Sequence, residues 1–181
     1  MNPCQYCFIF KGEGLSPENC SGSFSSESFK VTVFGVDTFE NAVHVAKKSV
    51  DSGVTLVELC GDFNQEIADQ IRLAINNKAT VRFVSYDPEE LKKLELLESD
   101  ENYGFIIMDE GLEPDKNLIK LLDDSVYITG VSNIEQACEC AKGLVKNNIN
   151  FIELCSAFDQ PEALAVIEAI NGKVPVGYSR K

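Results

Sequence analysis

Thr55-Leu-Val-Glu-Leu-Cys-Gly-Asp-Phe63 and Asn150-Phe-Ile-Glu-Leu-Cys-Ser-Ala-Phe158 are one segment written twice, 95 residues apart. Each is an apolar run that carries a glutamate, ends on a cysteine and meets a phenylalanine soon after. Working outward, the likeness extends over 31–86 against 126–181, where 19 of the 56 aligned positions are identical. The matches fall where a fold is decided. Gly35-Val36 meets Gly130-Val131; Ala42, Ala46, Lys47 and Val50 meet Ala137, Ala141, Lys142 and Val145; Ile75-Asn76 and Lys78 meet Ile170-Asn171 and Lys173. Upstream the offset becomes 97, with Phe8-Ile9 on Phe105-Ile106, as a short indel in the intervening loop requires. Self-similarity at a fixed period marks a tandem duplication.

Both copies predict the same elements. A strand opens each, at 6–10 and 103–108. The connection that follows is Gly/Ser-rich and irregular at 11–28; at 117–122 its counterpart reads as a short helix. The next strand covers 29–36 or 126–131. A helix starts at Asp37-x-x-Glu40 or Ser132-x-x-Glu135, each an N-cap acceptor with Glu three residues on. Phe39, Ala42, Val43, Ala46 and Val50 form its apolar face, matched by Ile134, Ala137, Cys138, Ala141 and Val145. Strands at 55–60 and 150–155, helices at 65–76 and 161–171, and strands at 79–86 and 174–178 complete the copies. Asp159-x-Pro-Glu162 is a start signal for the last helix. A linker helix over 88–98, opened by Pro88, places the boundary near residue 100, giving units 1–99 and 100–181.

Alternating strands and helices with short connections specify an α/β fold with right-handed crossovers. The expectation is two repeats, each a mostly parallel sheet of about four strands flanked by helices, related by a pseudo-two-fold axis. The alternative is one closed eight-stranded α/β barrel built from two half-barrels.

The formal net charge is −13, with 16 Lys and Arg that never cluster by more than two. Counterion displacement from nucleic-acid phosphate needs a basic face, so no nucleic acid and no membrane surface is expected as a partner. No apolar run approaches the ~20 residues of a membrane-spanning helix. Met1-Asn2-Pro3-Cys4 has neither the basic start nor the apolar stretch of a signal peptide, and the seven cysteines are expected as reduced thiols in the cytoplasm.

Ligands of parallel α/β sheets bind beyond the C-terminal strand ends, where the repeated segment lies. A glutamate within an apolar strand is costly unless paired or functional. Glu58 and Glu153 are therefore catalytic candidates, or structural carboxylates that accept hydrogen bonds from the next loop. Cys60 and Cys155 are candidate nucleophiles or small buried thiols; the single histidine, His44, lies on a solvent-facing helix position and offers them no base. Gly35 and Gly130 precede capped helices and could hold an anion there, or serve a turn. With Phe63, Phe158 and Arg82 they make up the candidate ligand-binding set; Arg82 or Arg180 could supply a cation. Cys4-x-x-Cys7 with Cys20 lacks the second pair of a metal site, and no metal or cofactor is expected. Neither G-x-G-x-x-G nor G-x-x-x-x-G-K-[ST] occurs.

The run Val-x-Gly-Val, Ala-x-x-x-Ala-Lys, Glu-Leu-Cys-x-x-Phe and Gly172-Lys-Val-Pro-Val-Gly177 resembles a family of small α/β proteins of unknown function. The first copy departs from the closing motif with Asn77-Lys-Ala-Thr-Val-Arg82. A weaker resemblance is to aldolases of the keto-deoxy-phosphogluconate type, in which the strand Glu assists a Schiff-base Lys on a later strand; here Lys30 stands at a strand start.

Three functional classes follow. The first is a non-catalytic module binding a small ligand, such as an anionic metabolite, or a protein partner. The second is a lyase or isomerase acting on a small oxo-acid with Glu58 or Glu153 as general base. The third is a structural or oligomer-forming module. Whether the chain is an enzyme, and its oligomeric state, stay open at this point.

Overall fold

A computed structural model describes residues 3–99 and 101–180. Asp100, where the sequence places the boundary, lies outside the described residues, as do Met1, Asn2 and Lys181. Among the described residues there are ten strands and five helices, in two compact units that divide between Phe83 and Val84.

The first unit holds β1 (Cys4–Lys11), β2 (Ser21–Ser25), β3 (Phe29–Val36), α1 (Phe39–Asp51), β4 (Leu56–Leu59), α2 (Gln65–Ala74) and the start of β5 (Thr80–Ser85). Its sheet is mixed: β1 pairs in parallel with β3 and β4, β4 in parallel with β5, and β2 runs antiparallel to β3. The second unit begins with the end of β5 and α3 (Pro88–Glu95). It continues through β6 (Tyr103–Met108), β7 (Leu118–Leu121), β8 (Val126–Val131), α4 (Ile134–Lys146), β9 (Phe151–Ser156), α5 (Gln160–Ala169) and β10 (Val176–Ser179). Here β6 pairs in parallel with β8 and β9, and β9 with β10, while β7 is antiparallel to β8 and Val84–Ser85 antiparallel to β10.

The helices repeat without drift: α1 and α4 are each 13 residues long and α2 and α5 each 10, all displaced by 95. Loop details repeat as well. The Gly35 N–H donates to the Cys20 carbonyl at 2.8 Å, and the Gly130 N–H to the Asn117 carbonyl at 2.7 Å.

Several expectations need correction. Residues 21–25, expected irregular, form strand β2, and 118–121, expected helical, form strand β7. Both are edge strands held by backbone hydrogen bonds to one neighbour, which demand no apolar run. Each copy thus carries five strands rather than four. The alternative of one closed eight-stranded α/β barrel does not fit the ten strands among the described residues, three of whose pairings there are antiparallel. The first helix of each copy starts one residue late. Thr38 and Asn133 are the N-caps, accepting from the Asn41 and Gln136 amides at 3.1 and 3.0 Å. Asp37 instead accepts from Asn41 Nδ2, and Ser132 donates to Gln136 Oε1. The buried face of α1 is Ala42, Val45, Ala46, Ser49 and Val50, while Phe39 stays 39% exposed. The start signal at α5 holds as a full capping box between Asp159 and Glu162.

The core of the second unit joins Ile106, Ile152, Leu154 and Val176 from the sheet to Ala137, Ala141 and Val166 from α4 and α5. Strand residues alternate between faces, so Phe105, Glu153 and Gly177 look away from these helices. No helix among the described residues is long and apolar enough to cross a membrane.

Candidate functional site

Glu58 and Glu153 end up at equivalent positions and both are buried, at 0% and 2% exposure. Each meets a phenol. Tyr6 on β1 donates to Glu58 Oε2 at 2.6 Å, and Tyr86, just after β5, donates to Glu153 Oε1 at 2.8 Å. A carboxylate out of water needs donors, and two of them are phenols far from the glutamates in sequence. The two copies supply them differently. Tyr6 lies one strand over from Glu58, whose register neighbours are Phe8 and Arg82. In the second copy the residue in register with Glu153 on β10 is Gly177. A Cβ built at Gly177 would stand 2.8 Å from Tyr86 Cζ, 2.9 Å from its Cε2 and 2.8 Å from Val84 Cγ1. Gly177 is thus the gap through which the Tyr86 ring crosses β10 to reach Glu153. The closing Val-Pro-Val-Gly motif acquires a physical meaning there, and Arg82 takes the same place in the first copy.

Alanine at Gly177 should therefore displace the ring and cost about 1–3 kcal/mol. Chemical denaturation would read the loss; a midpoint equal to wild type would mean that the ring does not depend on this gap.

The cysteines are also enclosed. Cys60 is 4% exposed and Cys155 is 0%; their thiols lie 3.9 Å from Asp62 Oδ2 and the Glu153 carbonyl. Phe63 and Phe158 are buried at 3% and 0%, with Phe63 edge-on to Phe39 at 5.5 Å. Gly35 faces Cys20, whose Sγ would be 2.8 Å from an added Cβ. Arg180 donates to Asp87 Oδ1 at 2.7 Å and lies over the Tyr178 ring. Cys4 is exposed while Cys7 and Cys20 are buried, and no group of three potential ligands converges among the described residues. Burial pushes the Cys7 thiol up to about 12 against a weaker opposing hydrogen bond with Ser49, which keeps it protonated.

One feature had no place among the expected site residues. Beside the C-terminal ends of α4 and α5 lies a cleft of ≈ 290 Å³, lined by Lys142, Lys146 and Lys173 around Val145, Ala169 and Ile170. Asn171, left-handed with φ 53°, completes its rim. In a chain of net charge −13, three lysines line one small hollow. The signal was present in the sequence: Lys142 and Lys146 are four apart on one helix face, and Lys173 follows the second helix of the same copy.

The model of a family of unknown function, DUF6506, matches residues 4–99 and again 101–181. The chain belongs to this family. Its two DUF6506 segments cover nearly the whole sequence, so the duplication is one of this domain. The segment 84–99, part of the first match, lies in the second compact unit. No curated protein matches the sequence. Among solved structures, the chain is similar to an ABC transporter periplasmic solute-binding protein from Actinobacillus succinogenes 130z with bound D-allose. That match has 13% identity, 96% of this chain, 77% of the other and a TM-score of 0.34. A solute-binding protein from Clostridium phytofermentas with bound L-rhamnose gives 10% identity, 96% and 68% coverage and a TM-score of 0.35. The Lac repressor bound to ONPG gives 10%, 97% and 65%, with a TM-score of 0.33. No aldolase stands among these three.

Proposed function

We propose that this DUF6506 protein is a non-catalytic binder of a small ligand. The observation that carries the reading is the lysine-lined cleft of ≈ 290 Å³, close to the lower end of the size range of small-molecule sites, ~300–1,000 Å³. The enzyme alternative needs a base within reach of the substrate proton, and burial of Glu58 and Glu153 under tyrosine hydroxyls favours a structural carboxylate instead. Burial of Cys60 and Cys155 argues against a thiol nucleophile in the same way.

The test is thermal unfolding across a panel of metabolite acids, phosphates and sugars. A ligand that binds only the folded state raises the midpoint, by about 2.7 kcal/mol of added stability at a hundredfold excess over Kd. At least one class of compound should do so. A flat response across the whole panel would overturn the reading in favour of a structural module.

A further inference from the structure

We infer that the cleft of the second copy is an anion site, selective for a small organic molecule with two or more negative charges, and that the first copy does not form it. The inference rests on the small-ligand reading above and adds the ligand's chemistry and its location.

The charge geometry comes first. Lys142 and Lys146 lie on the last turns of α4 and Lys173 lies beyond α5, so three chain positions converge on one hollow. Ammonium groups act as point charges and suit carboxylate or phosphate oxygens equally. Val145, Ala169 and Ile170 supply an apolar wall, which an inorganic anion would not use and a short carbon skeleton would. Lys142 also pairs with Glu139 at 2.6 Å, on the exposed side of the helix. That carboxylate offsets one of the three cations, and the two that remain match a ligand with two negative charges.

The comparison between copies separates this site from ordinary helix chemistry. Lysines near a helix C-terminus answer its negative dipole end, and Lys146 could serve that purpose alone. The equivalent helix α1 has the same length and ends on Asp51 at the Lys146 position; its last-turn cation is Lys48. A helix of this family therefore ends as well with its lysine placed elsewhere. Lys47 and Lys78 keep the places of Lys142 and Lys173 in the first copy, but Asp51 sits between them in sequence alignment. The two copies differ by the sign of one charge at the position that matters.

The experiment is a titration of the full chain followed by backbone amide NMR. Citrate and glucose 6-phosphate are the anionic probes, one carboxylate and one phosphate, with glucose as the neutral probe. Both or either anion should shift amides within 142–146 and 169–173, and glucose should not. Lys146→Asp, which gives the cleft the first copy's charge, should weaken anion binding by about tenfold or more. Lys30→Asp makes the same change in net charge at an exposed position on β3 and should leave the affinity within about twofold. Equal losses in the two variants would overturn the inference, since binding would then follow net charge. Binding of glucose, or anion shifts confined to other residues, would overturn it too while leaving small-ligand binding intact. Failure of all three probes here, together with a flat thermal panel, would remove both readings.

Discussion

Phe158→Ala is expected to destabilise the protein by about 3–5 kcal/mol, the usual cost of emptying a phenylalanine site in a packed core. Phe158 closes the repeated strand-end segment and is 0% exposed, packed in one cluster with Leu154, Ala163 and Val166. Such a loss is a large share of the ~5–15 kcal/mol that holds a domain folded. Denaturant titration of wild type and variant gives the number. A loss under about 1 kcal/mol would favour Phe158 as a ligand contact, because a side chain reserved for a ligand can be removed from the free protein cheaply. Phe63, buried at 3% at the equivalent place, should behave alike.

The second large effect concerns the buried carboxylates. Tyr86→Phe keeps the ring over Gly177 and deletes only the hydroxyl that Glu153 accepts from at 2.8 Å. Depriving a buried acceptor of a donor costs about 1–3 kcal/mol, with charged groups toward the upper end. Combining Tyr86→Phe with Glu153→Gln then measures the pair directly. The two losses should add to more than the double variant shows, with a coupling of about 0.5–3 kcal/mol. Strict additivity would mean that phenol and carboxylate do not act together, and would reopen a functional role for Glu153. Tyr6→Phe and Glu58→Gln form the matching cycle in the first copy.

Both carboxylates were legible in the sequence, because a glutamate between Val57 and Leu59, or between Ile152 and Leu154, breaks an otherwise apolar strand. Their partners were not. Tyr6 lies 52 residues from Glu58 and Tyr86 lies 67 from Glu153, and no local pattern links positions joined only by sheet register. The fold divides along the same line. Capping chemistry and 3.6-residue periodicity are local, and α1, α2, α4 and α5 follow from them closely. Strands β2 and β7 rest on backbone pairing with a neighbour. Ser21-Gly-Ser-Phe-Ser25 alternates half-exposed and exposed residues, with no apolar face to announce a strand. Leu118-Ile-Lys-Leu121 is short enough to fit either period. The cleft was missed for a related reason. Lys142 and Lys173 are repeated residues, but the cleft lies beside helix ends, where the strand-end rule for ligands of parallel sheets does not point.

The segment 84–99 carries a consequence of its own. By family match it is the tail of the first domain, yet it folds within the second unit. There Tyr86 serves Glu153, and the buried Glu90 carboxylate of α3 accepts the Val176 N–H at 2.9 Å. A second domain translated by itself from residue 101 would begin life without either group. The chain takes both groups from the segment that precedes the second match. In this chain the second DUF6506 segment depends on residues that the family match counts with the first.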